Sequence, residues 1–198
     1  MSAVTPRQLD AIREVVNIGA GHAATNLSEL VGLRVMISVP RIRWIDSVDD
    51  AVPRLPHEDA LVSVTVPMEG GDAGAERASI ILARTTALRM VAMMLRRDPS
   101  AVQEMGELER SALQEMGNIV CAAYVGVFGE FLGQGLLMGT PEIREGPPSE
   151  MAELAGHGLL IETDFAFSNR TFEGVFVLTH SASSFDGLLR ALGLDGAG

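Results

Sequence analysis

The sequence predicts an α+β fold in which helices pack on a mostly antiparallel sheet. Three observations carry that expectation. Two long segments repeat apolar residues at spacings of three and four. Six short runs alternate apolar and polar residues. The order of these elements is repeated: residues 10–40 can be laid on residues 111–141 at a constant offset of 101. The expected architecture is therefore a duplicated unit of about 100 residues, related by a pseudo-twofold and forming a single domain over 1–198. Its repeats span about 6–97 and 104–194, with the boundary near Asp98-Pro99-Ser100.

The first segment has clear ends. Thr5 can cap a helix, Pro6 suits its first turn, and Gly32 can end it in the left-handed conformation. Leu9, Ile12, Val16, Ala20, Ala23, Leu27 and Leu30 form its apolar stripe. Gly19 and Gly21 weaken it locally and offer close packing. The second copy carries Leu108, Ala112, Leu113, Met116, Ile119, Ala123, Val127 and Phe131, and ends at Gly133. Strands are expected at Val35–Val39, Leu61–Val66, Ala78–Ala83, Leu136–Met138, Leu159–Ile161 and Val175–Thr179. Ala51–Pro56, Glu69–Gly74 and Glu145–Ser149 are Pro- and Gly-rich and read as loops. Two shorter amphipathic helices are expected at 85–97 and about 182–193.

Composition narrows the chemistry. The chain has 198 residues and a net charge of −11, and all 15 of its basic residues are arginine. Without lysine there is no P-loop, no Schiff base and no lysine nucleophile. A phosphate-binding receiver domain is excluded on the same ground. The acidic balance argues against nucleic-acid binding, which depends on neutralising phosphates. No apolar stretch of about 18 residues is present, so no membrane insertion is expected. The first residues show no basic region followed by an apolar run, so no signal peptide is expected. Cys121 is the only cysteine, which suits a reducing cytoplasm.

The repeated polar residues are the most informative. Asp10, Glu14 and Asn17 stand at i, i+4 and i+7, within about 60° of the helix circumference. The apolar stripe is centred about 135° away, so these side chains should point outward. Ser111, Glu115 and Asn118 repeat the arrangement, and each asparagine is followed 23 positions later by a proline, Pro40 or Pro141. Asparagine is a mediocre helix former, so propensity does not explain it in mid-helix twice. A single exposed face of this kind is usually a solvated helix surface. Its recurrence with matched prolines sets it apart.

This pattern, Asp/Ser-x3-Glu-x2-Asn-x22-Pro present twice, resembles that of the CheC family of chemotaxis phosphatases, relatives of CheX and of the phosphatase part of FliY. The resemblance covers nearly the whole chain. It implies hydrolysis of the aspartyl phosphate of the response regulator CheY. Glu14 and Glu115 would engage the partner's lysine, and Asn17 and Asn118 would place the attacking water. Asp10, Ser111, Pro40 and Pro141 would be supporting positions, the prolines shaping the adjacent strand. The chain would need no cofactor or metal of its own, Mg²⁺ being held by the phosphorylated partner. Binding of the receptor deamidase CheD is a further family trait, for which the helix near 182–193 offers a surface.

Two rival functions follow from the same resemblance. One is a non-enzymatic adaptor for phosphorylated CheY or CheD. The other is a FliY-like switch component, which needs added N- and C-terminal parts for which this chain has no room. The remaining features read as structural. His22, His57, His157 and His180 lack ligand spacing, so no metal site is expected. Cys121 reads as a buried, inert thiol and the methionines as core filler. The bulkier run after Asn118, Ile119-Val120-Cys121, predicts unequal sites with the second the weaker.

Overall fold

A computed structural model describes residues 5–69, 76–99, 102–133, 135–155, 158–167, 170–179, 187, 189–190 and 193–194. The chain runs α1 (Pro6–Val31), β1 (Val35–Ile45), α2 (Val48–Ala51), a 3-10 turn (Val52–Arg54), β2 (Leu61–Glu69), β3 (Arg77–Ala83) and α3 (Arg84–Met94). There follow α4 (Glu107–Leu132), β4 (Leu137–Met138), β5 (Glu142–Gly146), α5 (Pro148–Ala155), β6 (Gly158–Phe167) and β7 (Arg170–Thr179). Short helical pieces at 187 and 189–190 belong to the helix expected near 182–193, most of which lies outside the described residues.

The long helices form where capping and periodicity place them. The Thr5 Oγ accepts a hydrogen bond from the Gln8 amide at 3.3 Å, and the Gln8 side chain accepts from the Thr5 amide at 2.8 Å. This reciprocal box satisfies two amides that a helix start would leave unpaired. Gly32 and Gly133 end α1 and α4 at φ of 65° and 63°, a conformation open to glycine without steric cost. Each helix has 26 residues, and at the offset of 101 the bounds of α1 fall on those of α4.

All strand pairs are antiparallel, in the order β1-β6-β7-β3-β2-β4, with β5 also on β2. The central pair is β3 with β7. Outward from it lie β2 and β6, and beyond these β5 and β1. The strand after α1 thus pairs with β6 of the second half, and the strand after α4 pairs with β2 of the first. Each half borrows its outermost partner from the other.

The sheet separates two apolar layers. On one face α1, α3 and α4 bury Ile12, Leu27, Val91 and Phe128 against Val64, Ile80, Phe165 and Phe176. On the other, α2, the 3-10 turn and α5 cover Leu61, Ile81, Leu160 and Val177 with Ala51, Leu55, Met151 and Leu154. Several expectations differ from this outcome, and Ala51–Pro56, read as loop, holds the end of α2 and the 3-10 turn. Residues 142–146 form an edge strand whose side chains mostly face water, so no apolar alternation marks it, and 148–155 form a helix begun by Pro148. Glu145–Ser149, read as loop, is therefore the end of β5 and the start of α5. The strand begun at Val35 continues to Ile45 through Pro40, which sits at a register irregularity between Ser38 and Arg41. An edge strand tolerates proline because its outer amides need no partner. Helix α3 stops at Met94 rather than 97, because Arg96 turns left-handed at φ 54° while the Arg97 amide bonds back to the Ala92 carbonyl.

Candidate functional site

The two long helices set the site. Gly19 of α1 meets Tyr124 of α4 so closely that a Cβ there would lie 2.8 Å from the ring. The C-terminus of α1 and the N-terminus of α4 both lie at the end of α3. A Cβ on Gly32 would meet the Arg96 Nη2 at 2.8 Å, and the Arg97 Nη1 donates to the Glu109 Oε1 at 2.8 Å. The helices therefore run antiparallel.

The predicted residues fall on outward faces. Asp10, Glu14 and Asn17 are exposed along α1, as are Ser111 and Glu115 on α4, while Asn118 is half-buried. Asn17 stands two residues from Gly19, about 200° round the helix, and so faces away from α4. Asn118 stands six residues from Tyr124, about 120° round α4. The two faces thus look to opposite flanks. Counting from the Gly19–Tyr124 contact, the asparagine backbones are about 15 Å apart, from about 12 Å along the axes and 8–10 Å across them. Glu14 and Asn17 share one flank and Glu115 and Asn118 the other. Between the flanks a groove opens above the helix pair, lined by His22, Asn26, Gly126 and Glu130 among others.

The supporting positions divide. Pro40 lies within β1, and Pro141 lies just ahead of β5. The Pro141 carbonyl accepts a 3.0 Å hydrogen bond from the Gln114 side chain, which ties the approach to β5 to the residue before Glu115. Gln114 was not singled out from the sequence. Arg13 occupies its place in α1, so the repeat carries no signal for it. Gly117 was missed for a different reason. It seats α4 on the sheet, where a Cβ would come within 2.5 Å of Val64.

The bulk noted after Asn118 points elsewhere. Val120 and Cys121 are fully buried, and the exposed neighbour one turn on is Ala122, the counterpart of Gly21. These residues do not crowd the Glu115/Asn118 face. Burial pushes the Cys121 thiol far above its ordinary range, which keeps it protonated and unreactive. His22 and His57 are exposed, and His157 and His180 lie outside the described residues. Among the described residues no group of three His, Cys, Asp or Glu is placed to hold a metal, and no helix is long and apolar enough to cross a membrane.

Comparison with known proteins gives consistent matches. Residues 8–43, which include Asp10, Glu14, Asn17 and Pro40, match the model of the CheC-like family. The Bacillus subtilis protein named CheY-P phosphatase CheC is 27% identical over 207 residues, covering 97% of each chain. The crystal structure of Thermotoga maritima FliY superposes with a TM-score of 0.77 at 18% identity, over 99% of this chain and 100% of that one. The chemotaxis protein CheX of Desulfovibrio desulfuricans gives 0.51 at 16% identity, over 84% of this chain and 99% of that one. At such identities the two structures speak for the fold. The doubled Glu-x2-Asn helix face, the full-length relative and the match over residues 8–43 together make the chain similar to CheC-like proteins.

Proposed function

We propose that this protein is a cytoplasmic phosphatase of phosphorylated CheY. The observation that carries the reading is the doubled face: a glutamate and an asparagine, three residues apart, at matching positions on the outer flanks of α1 and α4. The relative named CheY-P phosphatase CheC supports the choice of substrate.

The chemistry suits these side chains. An aspartyl phosphate is hydrolysed when water attacks phosphorus in line with the bond to the aspartate oxygen. The P–O bond breaks, its electron pair returns to the carboxylate, and the water gives up its proton as phosphate forms. The transition state is loose, so positioning counts for more than a strong base. The Asn17 or Asn118 amide oxygen accepts a hydrogen bond from the water and leaves its lone pair aimed at phosphorus. Glu14 or Glu115 pairs with the lysine beside the partner's phosphoryl group and so anchors the asparagine above it. Mg²⁺ sits on the partner's acidic residues. Exposure fits this arrangement, since the site is completed only on docking, which then excludes water and strengthens the ion pair.

The test is decay of phosphorylated CheY with wild type, Asn17→Ala, Asn118→Ala and the double variant. Loss of acceleration in the double variant is expected. Unchanged decay would overturn the enzymatic reading. If phosphorylated CheY or CheD still bound tightly, that result would favour the adaptor.

A further inference from the structure

Four arginines gather at the corner where α1 ends, α3 ends and β7 begins. Arg89 and Arg170 line one cleft of about 440 Å³, with Thr86, Thr171, Phe172 and Glu173. Arg34 precedes Val35, which pairs with Phe167 of β6, itself paired with Arg170, and Arg96 lies just past the end of α3. Its guanidinium reaches the Gly32 turn, two residues before Arg34. All four are exposed, and none has a carboxylate within ion-pair distance among the described residues. Glu173 shares the cleft without pairing to either arginine there. Glu29 and Asp98 are the acids nearest in sequence.

Two further observations mark this corner. Leu30 and Leu33, on either side of the Gly32 turn, lie exposed beside it. Arg96 is also the one non-glycine residue with positive φ among the described residues, at 54°. Glycine is the usual occupant of such a helix end, and an arginine there is strained.

We propose that this corner is a docking surface for an acidic, amphipathic segment of a partner protein. Its carboxylates would pair with Arg89, Arg96 and Arg170, and its apolar side chains would cover Leu30 and Leu33. A chain of net charge −11 repels an extended polyanion such as a membrane or nucleic acid. A short segment feels chiefly the local field of four cations, because salt screens the rest beyond about 10 Å. The surface is independent of the Glu/Asn flanks and does not rest on the phosphatase reading.

The probe is a labelled helical peptide of about 12 residues, about 18 Å long, with glutamate on one face and leucine on the other. Binding to the full chain is read by fluorescence anisotropy, and by shifts of the Arg89 and Arg170 Nε–H resonances. The acidic peptide should bind at about 0.05 M salt and weaken towards about 0.5 M. A lysine version with the same leucines should not bind. Arg89→Glu with Arg170→Glu should weaken binding about tenfold or more, both residues being exposed and their replacement compatible with the fold. Arg96→Gly should raise Tm by about 2 °C yet still weaken binding, a combination that a purely structural arginine would not give. Equal affinity for the double variant would overturn the proposal. So would equal shifts with inorganic phosphate alone, or binding of phosphatidylglycerol vesicles in place of the peptide.

Discussion

Replacing Gly117 by alanine tests how α4 is held beneath Asn118. The added methyl would lie 2.5 Å from both Cβ and Cγ1 of Val64, and 2.9 Å from Cγ2. Ordinary carbon contacts begin near 3.5 Å, so about 1 Å of movement is required. Val64 is fully buried in β2 and, being β-branched, has little rotamer freedom with which to yield. Overpacking of this kind costs about 1–3 kcal/mol, and the better helix propensity of alanine returns about 1 kcal/mol. Contacts at 2.5 Å with a buried, β-branched side chain put the overpacking at about 2–3 kcal/mol, so the net loss should be about 1–2 kcal/mol, or about 3–6 °C in Tm for a chain of this size. Gly126→Ala on the same helix is the control, since a Cβ there meets nothing within 4 Å. It should raise Tm by about 2–4 °C. Thermal and urea unfolding followed by circular dichroism would read both. A Gly117→Ala protein as stable as wild type, or a destabilised Gly126→Ala, would refute the packing argument. In an Asn17→Ala background, Gly117→Ala should also slow phosphate release, because the shifted turn carries Asn118.

Further outcomes follow from other residues. Gln114→Ala, again with Asn17 removed, should lower kcat at the remaining flank with little change in KM, because the lost bond to Pro141 orders that flank without touching CheY; steady-state phosphate release separates the two. Thr5→Ala should cost about 1 kcal/mol in urea melts by removing the cap of α1. Cys121 should react with a thiol reagent only as fast as the protein unfolds. Because its proton is held more tightly folded than unfolded, stability should be intact below about pH 8.5 and fall above it by up to about 1.4 kcal/mol per pH unit. Cys121→Ala should remove that slope until tyrosine ionises near pH 10, where the buried hydroxyl of Tyr124, also shifted upward, adds its own.

The long helices were legible because their signals are local. A capping box at Thr5, glycines at 32 and 133, and apolar spacing all lie within a few residues of the feature they specify. The apolar stripes were legible in their middles and less so at their ends. Leu30, Leu108 and Phe131 match the spacing but remain exposed. Edge strand β5 was not legible, since Glu142-Ile143-Arg144-Glu145-Gly146 buries too little to alternate. Of the Glu/Asn faces, the outward orientation was readable from spacing. Their placement on opposite flanks was not, because it depends on where Gly19 meets Tyr124. Gln114 stayed hidden for the same kind of reason, its partner being 27 residues away.

The exchange of outer strands has a consequence for how the two flanks can differ. With β1 laid against β6 and β5 against β2, the layout is that of a swapped homodimer joined into one chain. In a homodimer each substitution appears twice, and both copies of a surface must change together. Here the stretch between α3 and α4 replaces a dissociable interface with a covalent tether, so assembly no longer depends on concentration. Each flank is also free to drift alone. Arg13 stands opposite Gln114, Asp10 opposite Ser111, and exposed Asn17 opposite half-buried Asn118. Fusion lets one scaffold keep a working copy while the other is retuned. Expressed separately, the halves should each lack an outer strand and associate in order to recover it.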